Sequence, residues 1–181
     1  MLSLCHLILM SLCIAGTLGG GCGKRAPLID GGRSKKGVDA ALVTATIGGE
    51  AFVLEVAADE AAQEQGMGGR TVAPGGGMLF VFPVAEEQMF VMRDCAEALD
   101  LIYLDDDRRV VCVHAMAPEA PRSAGERPGD AKGNAAYTAR LKGYASGGPA
   151  RYAIEVRGGT GARLGVKAGD VVALGKKGPG G

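Results

Sequence analysis

Along residues 41–57, ALVTATIGGEAFVLEVA, two runs rich in apolar and β-branched residues flank Gly48-Gly49. A Gly-Gly pair accepts the positive φ angles of a two-residue turn, so this segment predicts a β-hairpin. Asp59, followed by the polar and Ala-rich stretch to Gln65 and then Gly66, reads as a capped short helix with a glycine stop. The next apolar runs predict strands over Gly77 to Phe82 and Met89 to Met92, then a hairpin of Leu99 to Asp105 and Arg109 to His114 across an acidic turn. Residues 117–135 hold three prolines, three glycines and mixed charge without periodicity, which predicts a mobile surface loop. Arg151 to Val156 alternates as a strand, and the GGTGARLGVKAGDVVAL stretch predicts a helical turn, a tight turn at Gly169-Asp170 and a last strand. The sum is a mainly β, compact β-sandwich or barrel-like domain with one or two short helices.

This pattern leaves one ionic problem. Asp100 shares a strand face with Ile102 and Leu104, while Leu99, Leu101 and Tyr103 take the other, so neither face is solvent-bathed. A carboxylate placed there needs a partner. Arg70 is the candidate, because it follows a Gly-rich turn that can carry a guanidinium fork to a neighbouring strand. Two readings stay open: a buried ion pair that pins the GMGGR loop, or one polar wall of a groove in which Arg70, Arg93, Asp94 and Asp100 face an apolar wall of Met78, Phe90 and Met92.

The first 21 residues carry no Lys, Arg, Asp or Glu and include an apolar run of the length of a secretory signal, short for a membrane span. They end in LGGGC, small residues before Cys22 that resemble the lipobox of bacterial lipoproteins. The expected organisation is a signal peptide at 1–21, a flexible lipid-anchored tether at 22–38, a β-rich domain at 39–175 and a disordered tail at 176–181. Lys24, beyond the apolar run, is the first basic residue, the reverse of an export signal's usual charge order. Read as an uncleaved anchor, that order would leave the bulk of the chain in the cytosol; on the apolar run and LGGGC the expected location is instead outside the cytoplasmic membrane, on its periplasmic or cell-surface side, with Cys22 as the lipidation site. Twenty basic and twenty acidic side chains cancel, which argues against nucleic acid as a partner.

Candidate chemistry is sparse. His6 falls in the signal segment and His114 has no acidic neighbour at a telling spacing, so a triad finds no support. Cys95 and Cys112 read as separate thiols. Met89, Met92 and Cys95 are soft donors three apart, but on a strand that spacing alternates faces, so core packing is the reading. Residues 105–107 lack the spacing of a calcium loop, and PGGGM at 74–78 precedes a strand where a phosphate loop would open a helix. No catalytic residue, cofactor or metal is assigned.

Seven blocks in order carry a family resemblance: FVLEVA at 52–57, GMGGR at 66–70, GMLFVF at 77–82, FVMRDC at 90–95, LDLIYLD at 99–105, RYAIEV at 151–156 and GVKAGDVV at 165–172. The chain resembles the bacterial and archaeal family known as domain of unknown function 192. The family's Gly-Leu-Met-x-Arg reads here Gly66-Met67-Gly68-Gly69-Arg70, and its Phe-Trp-Met reads Phe90-Val91-Met92. The resemblance implies a mainly β fold, often exported, and no established reaction. The functional expectation is an exported, lipid-anchored, non-catalytic binding module with a groove for a small polar ligand. Its partners would be the membrane, through the anchor, and that ligand or an envelope protein. The alternatives are a hydrolase of envelope polymers using Asp94 and Asp100, and a purely structural partner-binding lipoprotein.

Overall fold

The computed structural model describes residues 41–175. The signal segment, Cys22, the tether and the tail lie outside the described residues. Within them, β1 (Leu42–Ile47) and β2 (Glu50–Ala57) form the expected hairpin, with Gly48 and Gly49 at φ 55° and 87°. A side chain at Gly48 would also collide with Leu164, since an added Cβ falls 2.8 Å from that residue's Cβ. α1 (Glu60–Gln65) starts where Asp59 accepts from the Ala62 N–H and stops at Gly66, whose φ of 49° suits glycine.

After α1 the chain returns as β3 (Gly76–Val91), parallel to β2. The two strands expected at 77–82 and 89–92 are one sixteen-residue strand with register shifts between Val81 and Glu86 and between Glu87 and Met89. Pro83, which has no N–H to give a ladder, falls in the first irregularity. The strand survives because the fifteen-residue β6 (Gly143–Arg157) pairs with both halves, and the Ser146 hydroxyl spans the second shift by accepting from the Gln88 N–H at 3.0 Å. The expected strand at 151–156 is the second half of β6.

β4 (Leu99–Leu104) and β5 (Val110–Met116) form the predicted second hairpin, and Asp105 Oδ1 accepts from the Asp107 and Arg109 N–H groups to close its turn. α3 (Thr160–Leu164) and the two-residue β7 (Ala173–Leu174) complete the C-terminal part. The sheet order is β5-β4-β6-β3-β2-β1-β7. It curls into a half-barrel, and the closing segment touches both of its edges: Val171 bridges Arg109 beside β5, while Ala173 and Leu174 pair with β1. The mainly β, barrel-like expectation is met, with three short helices.

Both faces of the sheet carry a core cluster, while β1 and the start of β2 leave their outer face exposed. One cluster, including Ile47, Leu54, Ile102, Leu104, Ile154 and Val156, gathers on the face where β1 to β6 and Val172 converge. The other, including Met78, Phe80, Leu101, Tyr103 and Met92, packs under Met67 and Val72. β4, central enough to be roofed on both sides, is buried at all six positions. Each such aliphatic side chain contributes about 1.5–3 kcal/mol by its removal from water.

Residues 117–130 form the expected surface loop, without helix or strand, whereas 131–135 are the first half of a helix. That helix is α2 (Ala131–Arg140), capped by Asp130, and Tyr137 is buried between the guanidinium groups of Arg122 and Arg140, 3.8 and 4.7 Å from its ring centre. Arg140 also pairs with Glu126 at 2.7 Å, and that guanidinium is the main cause holding the Glu126 carboxyl well below the usual carboxylate range. Apolar periodicity was absent because this segment is held by ion pairs around one aromatic ring.

Candidate functional site

The residues singled out from the sequence divide among several places. Asp100 is buried as expected, but its Oδ2 accepts from the Gly161 N–H at 2.6 Å, in the first turn of α3. Arg70 instead pairs with Glu55 on β2, at a position where both side chains remain about one-third exposed. The expected Arg70–Asp100 pair is therefore replaced by two separate interactions. Strand alternation explains it: Asp100 lies on the face of Ile102 and Leu104, and α3 covers that face.

Asp94 is held by Arg122 through two hydrogen bonds of 2.7 and 2.8 Å, and its N–H donates to the Tyr137 hydroxyl. The Arg122 guanidinium keeps the Asp94 carboxyl below its ordinary range. Met92 is fully buried and Met78 nearly so, both as core. Met89 is 63% exposed, so it shares no soft-donor site with Met92. The His114 ring stands edge-on to Tyr103 and Tyr144, with Nε2 2.8 Å from the Ala145 carbonyl. Cys95 and Cys112 are both free thiols.

Phe90 and Arg93 do line a cleft, of about 280 Å³, between the end of α1 and the second half of β3. Its position follows from local structure. The Gln63 side chain donates to the Ala57 and Val81 carbonyls and so clips α1 to β2 and β3. The chain then crosses through Gly66-Met67-Gly68, and Gly69 donates its N–H to the Asp94 carbonyl at 3.0 Å. The aromatic wall is an edge-to-face cluster: Phe90 stands 4.8 Å from Phe80 and 6.4 Å from Phe82, centre to centre.

At the base of this cleft lies Glu155, a residue that sequence reasoning passed over. It is 4% exposed, and its Oε2 has no hydrogen-bond partner. Burial raises its pKa from 4.5 to about 7, against a lowering contribution from a hydrogen bond with the Met67 backbone. Gly66 passes directly over it, for a Cβ added there would stand 3.7 Å from Oε2 and 3.5 Å from the Phe80 ring. The Cys95 thiol also lines the cleft, and burial, followed by the Glu155 and Asp94 charges, pushes it up to about 11. Cys95 is thereby a poor nucleophile at neutral pH. Native-state alkylation by iodoacetamide at pH 7.5, followed by mass spectrometry, should show Cys95 reacting on the order of a hundredfold more slowly than in the denatured chain. Comparable rates would contradict its burial.

The signal for Glu155 was present in RYAIEV, a carboxylate inside an apolar run. On a one-faced sheet such a residue simply faces water. β6 lies between β4 and β3, with Leu101 and Met78 as the neighbours opposite Glu155, and this pairing places the carboxyl under the α1 side of the sheet.

A family model described as an uncharacterised ACR, domain of unknown function 192 (DUF192), matches residues 43–174. The chain belongs to this family. A crystal structure of a Sinorhizobium meliloti protein, named as a candidate transcription regulator, is similar to this DUF192 domain at TM-score 0.59 and 27% identity, over 76% of this chain and 96% of that one. A Novosphingobium aromaticivorans protein of unknown function is similar at TM-score 0.57 and 28% identity, over 85% of this chain and 99% of that one. No curated protein matches the sequence. Among the described residues of this DUF192 chain, no helix is long and apolar enough to cross a membrane.

Proposed function

We propose that this DUF192 domain is a small-ligand-binding module of the cell envelope, held at a membrane through acyl chains on Cys22, with the cleft beside Gly66–Gly68 as its binding site. One observation carries the binding reading: a buried carboxyl without a hydrogen-bond partner on Oε2 sits at the base of a cleft walled by aromatic rings. A buried polar group left unpaired costs stability, and a ligand that supplies the missing donor recovers it. The hydrolase alternative draws no support from Asp94 and Asp100, which are committed to Arg122 and to the Gly161 N–H.

The binding reading is tested by a small-fragment screen followed by protein NMR. Hits should move the resonances of Gly66, Gly68, Phe90 and Arg93 together. Hits that map to other surfaces, with none at these residues, would overturn it. The anchoring part has its own support, the small-residue run before Cys22, and its own measurement. Metabolic labelling with a fatty-acid probe should mark the wild type and not Cys22→Ala; equal labelling of both would sink the lipid anchor.

A further inference from the structure

We infer that the cleft accepts a small organic ammonium, its apolar body against Phe80, Phe82 and Phe90 and its N–H donors directed to Glu155. The inference rests on the ligand-binding reading above and adds to it the chemical class of the ligand.

Three observations lead there. First, in its ionised form Glu155 Oε2 is an acceptor with no donor, so the ligand group that complements that form is a donor. Second, the adjoining wall is aromatic. Phenyl faces carry negative charge density, and a carboxylate beside such rings favours an organic cation over a neutral or anionic group of the same size. Third, the charged groups lining the cleft are Arg93, Glu64 and Glu155, so with Glu155 ionised the lining carries one excess negative charge. Arg93 is in turn close enough to Asp94 to help hold that carboxyl low, which balances part of its positive charge.

Two titratable side chains bear on Glu155 and keep their protons through neutrality, and His114, which shares its sheet face across Leu101, lies outside the cleft lining. The Cys95 thiol is pushed up to about 11, and the Tyr103 hydroxyl, raised chiefly by burial, donates to the Tyr144 carbonyl at 2.7 Å. Glu155 is then the group whose ionisation sets the charge of the cleft between pH 6 and 8. Ammonium binding favours its ionised form, so affinity rises with pH and binding near pH 7 releases protons.

The test compares benzylammonium, benzyl alcohol and benzoate by calorimetry and protein NMR at pH 6 and pH 8, on the wild type and Glu155→Gln. Benzylammonium should move the Gly66 and Phe90 resonances and bind the wild type about tenfold more tightly at pH 8 than at pH 6, following the ionised fraction of an acid that titrates near 7. Glu155→Gln should lose that pH dependence, and benzyl alcohol should not show it in either protein. In the wild type, heats measured in buffers of different ionisation enthalpy should report proton release at pH 7. Benzyl alcohol or benzoate occupying the cleft as tightly as benzylammonium at pH 8 would overturn the ammonium inference and leave the binding reading standing. If no probe moves cleft resonances at millimolar concentration, and the fragment screen also finds no ligand there, both fall.

Discussion

Replacing Glu155 with glutamine is expected to leave stability unchanged at pH 4 and to raise it by about 3 kcal/mol at pH 8. The folded protein holds the Glu155 proton up to about pH 7, whereas the unfolded chain releases it near 4.5. The native state thus binds more protons across that window, and the wild type loses stability as pH rises from 4.5 through 7. At about 1.4 kcal/mol for each pH unit separating the two values, the loss comes to about 3 kcal/mol. Glutamine is isosteric, uncharged at every pH and free of this titration. Urea denaturation of both proteins at pH 4, 6 and 8 checks the sign as well as the size. A stability difference that stays constant with pH would show that Glu155 is not a desolvated acid. A carboxyl held at such a cost to the fold supports the binding site proposed above.

The second large effect concerns Asp100. Asp100→Ala should destabilise the domain by about 2 kcal/mol, since the Gly161 N–H loses its acceptor inside the fold and α3 loses its tie to β4. Asp100→Asn keeps an oxygen in place and should lose less. Arg70→Ala removes a partly exposed pair with Glu55 and should cost no more than about 1 kcal/mol. The double variant should show additive losses, because the two side chains serve different partners. Chemical denaturation of the wild type and the four variants measures this. A coupling well above about 0.5 kcal/mol would mean that Arg70 and Asp100 touch after all.

These two carboxylates also show where sequence reasoning succeeds and where it stops. The burial of Asp100 was legible, because LDLIYL is apolar at both alternating sets of positions and so predicts a strand covered on both faces. Its partner was not legible. Nothing local brings Gly161 to Asp100, sixty-one residues away; packing of α3 onto the sheet does. Glu155 was equally visible as a charge in an apolar strand, yet its burial depends on β6 being flanked by β3 and β4, a matter of sheet order.

Short-range information determined much of this protein. The Gly48-Gly49 hairpin, the Asp59 cap with its Gly66 stop, the acidic turn at Asp105 and the mainly β class all follow from backbone preferences and alternation acting over a few residues. The ordered blocks from Phe52 to Val172 were enough to reach the DUF192 family. Tertiary structure alone decided the rest. It merged two expected strands into β3, because the similarly long β6 pairs on both sides of the interruption at Pro83. It folded residues 117–140 around Tyr137 through guanidinium groups that carry no periodicity. It drew Gly66, Phe90, Arg93 and Glu155 from separate elements to one cleft. Alternation tells each side chain which face of its own strand it takes; only the order and curl of the strands determine what covers that face, and a lone buried carboxyl acquires its chemistry from that cover.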